Sequence, residues 1–209
     1  MTSFQLSPDQ IDSIVDAALS VASKGKWEDV TLGDVSDVTK IPMPEIVNAV
    51  GTKFGILSLY LRRLNAETLA NLDHDTTDAS IRERIFDTLL CRLDAMDVHK
   101  TAIDSIIRAT LQDPLVTWHS AQLLGRSLTY MLEVSGVSSS GISGFSRISG
   151  LGIIYLRTLQ IWLTDDSADM SKTMAELDKR LRQAESAIRW LNEKCHRQQN
   201  NYISQNLPS

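Results

Sequence analysis

Residues 31–53, TLGDVSDVTKIPMPEIVNAVGTK, constrain the fold more than any other stretch of this chain. Val35 and Val38 are spaced as one face of a short helix; Ile41 follows a break, and Ile46, Val47 and Val50 form the next face. Thr31 stands where an N-cap belongs, and Pro42 and Pro44 bracket the start of the second helix. Two short helices crossing around one apolar contact form a helix-turn-helix, whose second helix can enter a DNA major groove.

The rest of the chain repeats the helical period. Ser7-Pro8 opens a first helix that turns Ile11, Ile14, Val15, Ala18, Leu19 and Ala22 inward and stops at Gly25, with Trp27 packed under the next segment. Thr52 starts a fourth helix with Leu57, Tyr60, Leu61, Leu64 and Leu69 inward, ending near Leu72; the polar run DHDTTD at 73–78 reads as a joint. Beyond it Ile81, Ile85, Leu89 and Leu93 fall four apart, a short helix comes after Asp97, and Asp113-Pro114 caps another that runs towards Gly136. SSSGISG at 138–144 reads as a small-residue loop before a very apolar helix over roughly 147–163. Asp165, Asp166 and Ser167 break that helix and cap the last one. There Met170, Met174, Leu177, Leu181, Ala184, Ile188, Leu191 and Cys195 form a heptad-like seam suited to a homodimer. Nine helices and no strand make the expected fold all-α. The expected division is a head over 1–55, a connecting helix and joint over 56–78, and a larger helical domain over 79–200.

Composition narrows the function classes. With 43% hydrophobic and 22% charged residues, the 209-residue chain can bury a real core in one or two domains. No apolar run reaches the roughly 18 residues of a membrane span. The opening MTSFQLSPDQ lacks a basic start and apolar block, so no signal peptide is expected and the expected location is the cytoplasm. Cys91 and Cys195 lie far apart and read as reduced thiols, and the four histidines form no pair with metal-ligand spacing. No paired carboxylates, activated nucleophile or phosphate-cradling loop marks an enzyme or requires a cofactor. The net charge is −5, and residues 1–53 hold eight acids against four lysines. Bulk electrostatics therefore does not draw this chain to nucleic acid.

Thr31, the turn Thr39-Lys40-Ile41, Lys53, and the Ala17-Ala18-Leu19 core with Gly25 resemble the N-terminal signature of the TetR family of transcriptional regulators. The resemblance implies that the third helix reads DNA, that the larger domain holds a small-molecule pocket, and that the last two helices dimerise as a four-helix bundle. The chain departs from that signature at Val47, Ala49 and Val50, where the family has larger, mostly aromatic residues, and at Lys40, where it commonly has glycine. A second resemblance covers residues 80–191. IRERI at 81–85 and IYLRTLQIWLTDDSADMSKTMAELDKRL at 154–181 are similar to the TetR-like accessory proteins of ubiquinone biosynthesis, which do not bind DNA. That resemblance implies an apolar cavity for lipids or isoprenoid quinone precursors and presentation of them to a partner hydroxylase. Residues 132–142, LEVSGVSSSGI, keep Gly136 and Ser139 but lack the Trp and acidic segment with which that family docks its partner.

Each resemblance brings its own candidate residues. For operator DNA, Glu45 and Asn48 would contact bases while Thr31, Lys40 and Lys53 would contact phosphates, with Arg62 and Arg63 as a further pair. For an apolar or lipid-like ligand, Trp118, Leu128, Met131, Phe145, Ile153, Leu156 and Trp162 would line a pocket in the larger domain, with His119 and Arg126 near a polar head group. The leading expectation is a ligand-responsive TetR-type regulator that binds operator DNA as a dimer through its last two helices. The alternative is a lipid- or isoprenoid-binding accessory protein that keeps the head as a structural remnant.

Overall fold

The computed structural model describes residues 6–72 and 78–206, with side chains as far as Trp190 and at Glu193 and Lys194. Among the described residues there are nine α-helices and no strand: α1 (Pro8–Lys24), α2 (Leu32–Thr39), α3 (Met43–Val50), α4 (Lys53–Asn71), α5 (Ile81–Met96), α6 (Lys100–Gln112), α7 (Pro114–Val134), α8 (Gly141–Leu163) and α9 (Ser171–Asn206). Single 3-10 turns at Trp27–Asp29 and Asp97–His99 complete the order. The expected joint at 73–78 lies outside the described residues apart from Asp78.

Side-chain caps set the helix starts. Ser7 with Gln10, Thr31 with Asp34 and Ser80 with Glu83 form reciprocal capping boxes, and the Asp113 carboxylate accepts from the amides of Leu115 and Val116. The same bonds from Thr31 and Ser80 hold the Asp34 and Glu83 carboxyls below their ordinary values. α1, α2 and α3 close around Ile14, Ala18, Trp27, Val35 and Ile46, all buried. Val38 and Val47 do not join that core as their spacing predicts; they lie exposed on the outer side of α2 and α3. Each helix is about two turns long, so only one residue per turn reaches the small contact between them. Leu69 and Ile81 are likewise exposed at the ends of α4 and α5, where no neighbouring helix covers them.

The head is not hung from α4 alone. α6 packs along α1, burying Ala102 and Ile103, and the Ser105 hydroxyl accepts from the Trp27 amide at 2.9 Å while donating to the Gly25 carbonyl at 3.2 Å. In the larger domain α4, α5, α7 and α8 enclose Leu89, Leu93, Leu128, Met131, Tyr155 and Trp162. α8 begins at Gly141, six residues before the predicted start, so only 137–140 remain a loop. The reason is a close approach: a Cβ on Gly144 would collide with the Ser139 backbone, and only glycine lets the chain turn straight into helix there. α9 packs on α8 and α5 through Leu177 and Leu181, and its seam then emerges, leaving Ile188 exposed; Met170 precedes the helix in a left-handed conformation. The side chains of Leu191 and Cys195 lie outside the described residues.

Candidate functional site

The head presents the expected helix-turn-helix, but its candidate residues do not share one role. Lys40 ends α2 with φ 61°, a left-handed position that favours glycine, and its side chain is exposed. Asn48 is exposed on α3 and Glu45 is half-buried in its first turn. Thr31 and Lys53 are spent elsewhere. The Thr31 hydroxyl donates to Asp34 at 2.7 Å, and Lys53 Nζ donates to the carbonyls of Trp27 and Glu28 at 3.0 and 2.9 Å, with the ammonium 5.6 Å from the Trp27 ring. Lys53 thus clamps the turn between α1 and α2 from the start of α4. Arg63 is also turned inward, 2.8 Å from Asp16 and 3.7 Å from both Asp12 and Glu67. Of the candidate cations, only Lys40 and Arg62 remain as exposed side chains without an ion pair among the described residues. The exposed surface of α2, α3 and the turn between them also carries Val38, Pro42, Met43, Pro44 and Val47, beside acidic Asp37.

Lys53→Ala separates the two roles of that lysine. Loss of two charge-assisted bonds is expected to lower stability by about 2 kcal/mol, and Tm by about 4–8 °C, with DNA affinity unchanged. Thermal unfolding and DNA titration of the same variant check it. Weaker DNA binding at unchanged Tm would instead make Lys53 a phosphate contact.

The seven candidate ligand residues divide. Leu128, Met131 and Trp162 are buried core, whereas Trp118 (69% exposed), Phe145 (73%), Ile153 (67%) and Leu156 (53%) lie on the surface. No enclosed apolar cavity gathers them among the described residues. Two open clefts lie elsewhere: 390 Å³ between α1 and the start of α6, beside Asp16 and His99, and 350 Å³ beside Asp94, Asp97, Asp165 and Asp166. Burial pushes the His99 imidazole below its ordinary value, helped by Arg63. His119 is exposed with its ring 5.1 Å from Phe54, and Arg126 is exposed. Ile142, Phe145, Ile153 and Leu156 instead form one stripe along α8, separated by the small residues Ser146 and Ser149.

The IRERI and LDKR motifs of the larger domain meet in space. Arg82 of the first pairs with Asp178 of the second at 2.8 Å and approaches Glu185 at 3.6 Å, fastening α5 to α9. The Asp165 carboxylate accepts from Ser167 and Thr173, forming the corner between α8 and α9, and the Asp165 carbonyl accepts from Lys100 Nζ at 2.6 Å. These polar identities are structural.

Sequence reasoning missed a buried polar cluster between α4, α5, α7 and α8. Arg92 has 0% exposure; its Nε donates to the Tyr155 hydroxyl at 3.3 Å and its Nη1 to Asn65 Oδ1 at 2.6 Å. Ser127 donates to the same Asn65 oxygen at 2.7 Å. The signal was present in register: Arg92 falls between Leu89, Leu93 and Met96 on the inward face of its helix.

This arrangement of nine helices is a TetR-like fold. The crystal structure of the TetR transcriptional regulator from Nitrosomonas europaea superimposes with a TM-score of 0.70 at 23% identity, covering 85% of this chain and 98% of that one. A putative TetR-family transcriptional regulator from Syntrophomonas wolfei gives 0.60 at 12% identity over 83% and 93% of the two chains. A TetR transcriptional regulator from Rhodococcus sp. RHA1 gives 0.57 at 12% over 82% and 95%. In sequence, residues 118–188 match the COQ9 family, a stretch of less than half the chain. No curated protein matches. Among the described residues no helix is long and apolar enough to cross a membrane, and no three metal-ligating side chains gather.

Proposed function

We propose that this chain is a non-enzymatic accessory protein of quinone biosynthesis that binds a lipid or isoprenoid as a homodimer and keeps its helix-turn-helix as a structural unit. The observation that carries this reading is the state of the head: Thr31, Lys53 and Arg63 are committed to internal partners, and apolar Val38, Met43 and Val47 lie exposed on the outer side of α2 and α3. Affinity for DNA comes chiefly from cations that displace phosphate counterions, and eight acids face four lysines in this part of the chain. The COQ9 match over 118–188 supports the same reading, because it covers α7, α8 and the start of α9, where Trp118, Phe145, Ile153 and Leu156 supply exposed apolar surface.

Organic extraction of the purified protein followed by mass spectrometry tests the lipid directly, and fluorescence anisotropy on DNA from upstream of its own gene tests the head. The expected outcome is a co-purifying lipid, with DNA bound more weakly than roughly 10 μM at physiological salt and no preference over scrambled sequence. Saturable submicromolar binding that resists scrambled competitor would overturn this reading. It would favour the second one, a ligand-responsive regulator, for which the helix-turn-helix and the exposed Lys40 and Asn48 speak. Glu45→Ala and Asn48→Ala would then show whether α3 reads bases.

A further inference from the structure

Among the described residues, the interior of the larger domain holds a positive charge with no counter-charge. Arg92 makes no ion pair among the described residues, its bonds go to neutral oxygens of Asn65 and Tyr155, and its Nη2 has no partner. An isolated buried cation is costly unless an anion accompanies it. A second unpartnered group lies on the neighbouring helix: the buried Tyr60 hydroxyl of α4. Burial pushes the Tyr60 phenol far above its ordinary value, with Tyr155 and Glu67 adding to the rise and Arg92 and Arg63 opposing it. Both orphaned groups can donate. An acceptor carrying negative charge would satisfy both donors and balance the charge.

We propose that Arg92, Tyr60 and Tyr155 form the binding site for a small carboxylate, with Asn65 and Ser127 holding the guanidinium in place. A planar carboxylate matches the guanidinium fork, taking two of its N–H groups, whereas a neutral ligand leaves the charge unanswered. Met96, itself buried, packs against the cluster. Its thioether accepts from the Tyr155 hydroxyl at 3.4 Å, a weak bond that a carboxylate oxygen would replace with a stronger one, and an unbranched thioether side chain adapts readily to a changed neighbour. Asn65 fixes the register of the cluster, because one oxygen accepts from both Arg92 and Ser127. The site goes beyond the proposed function and holds whether the bound molecule is a free organic acid or the carboxylate end of an amphiphile.

Thermal unfolding of the full chain with acetate, octanoate, octanol and chloride, at matched ionic strength, tests it. A carboxylate at tenfold excess over its Kd should raise the wild-type Tm by about 3–6 °C, and octanol and chloride should not. A shift with both acids assigns the site to a free organic acid; a shift with octanoate alone assigns it to an amphiphile. Arg92→Gln should lose the shift while unfolding no earlier than wild type in plain buffer. Should that variant fail to fold, Tyr60→Phe should still weaken octanoate or acetate binding about tenfold by calorimetry. Equal shifts from octanol and octanoate, no shift from either acid, or a shift retained in Arg92→Gln would overturn the site. Recovery of a lipid from the protein alongside any of these would leave the proposed function standing and the carboxylate site refuted.

Discussion

Asp165→Ala is expected to lower the stability of this protein by about 3 kcal/mol and its Tm by about 6–12 °C. The carboxylate is 2% exposed and receives four hydrogen bonds: Oδ1 from the amide and hydroxyl of Ser167, Oδ2 from the amide and hydroxyl of Thr173 at 2.9 and 2.7 Å. Alanine leaves those donors buried without an acceptor at the turn that sends α9 back along α8. Asn fits the space but offers one acceptor oxygen in place of two, so it should recover part of the loss and not all of it. Burial pushes the Asp165 carboxyl up, but the bonds from Ser167 and Thr173 outweigh it and hold the group well below the ordinary 3.8. A depressed folded-state value means the stabilisation is complete above the ordinary value and disappears as pH falls through the folded one. The gap between wild type and Asp165→Ala should therefore be constant between about pH 5 and 8 and narrow only in strong acid. Denaturant unfolding across that range measures it. A gap that closes near neutral pH would show that Asp165 is not the acceptor described.

Ile153→Asp on α8 is expected to convert a dimer to a monomer, weakening association at least about 100-fold, with little change in the stability of the single chain. Ile153 and Leu156 are more than half exposed, and with Ile142 and Phe145 they give α8 an uncharged stripe whose small Ser146 and Ser149 permit a second helix to come close. A stripe of this kind on one face of a helix is what a partner copy would cover. An acid in its centre would have to be buried without a partner. Sedimentation velocity on wild type and variant decides the matter. A wild-type monomer, or a variant that stays dimeric at micromolar concentration, would remove α8 from the interface.

The fold was legible in the sequence because its helices announce their ends chemically. Ser7-Pro8, Thr31 and Asp113-Pro114 place three starts within a residue, and the four-and-three spacing of Leu177 and Leu181 identifies the packed side of α9. The start of α8 was not legible, since Gly141 and Gly144 read as loop residues while a left-handed φ at Gly141 and a close backbone approach at Gly144 place them in the first turn. Which apolar residues stay exposed was not legible either. Period gives the face of a helix, but only the arrangement of its neighbours decides whether Val47, Trp118 or Ile153 is covered. Arg92 was missed for the opposite reason: residue type outweighed register, though its place beside Leu89 and Leu93 marked it as inward.

The bond from the Trp27 amide to Ser105 bears on how the molecule comes apart. That proton is handed across the boundary between the three short helices and the remainder, with α6 laid along α1 over the same boundary. The bond is part-buried and breaks whenever the two regions separate, so its hydrogen exchange is sensitive to their parting. If the boundary yields before the cores do, the Trp27 proton exchanges ahead of its neighbours in α1. If it does not, the chain melts as a single cooperative body, and the short helices owe their order to the long ones.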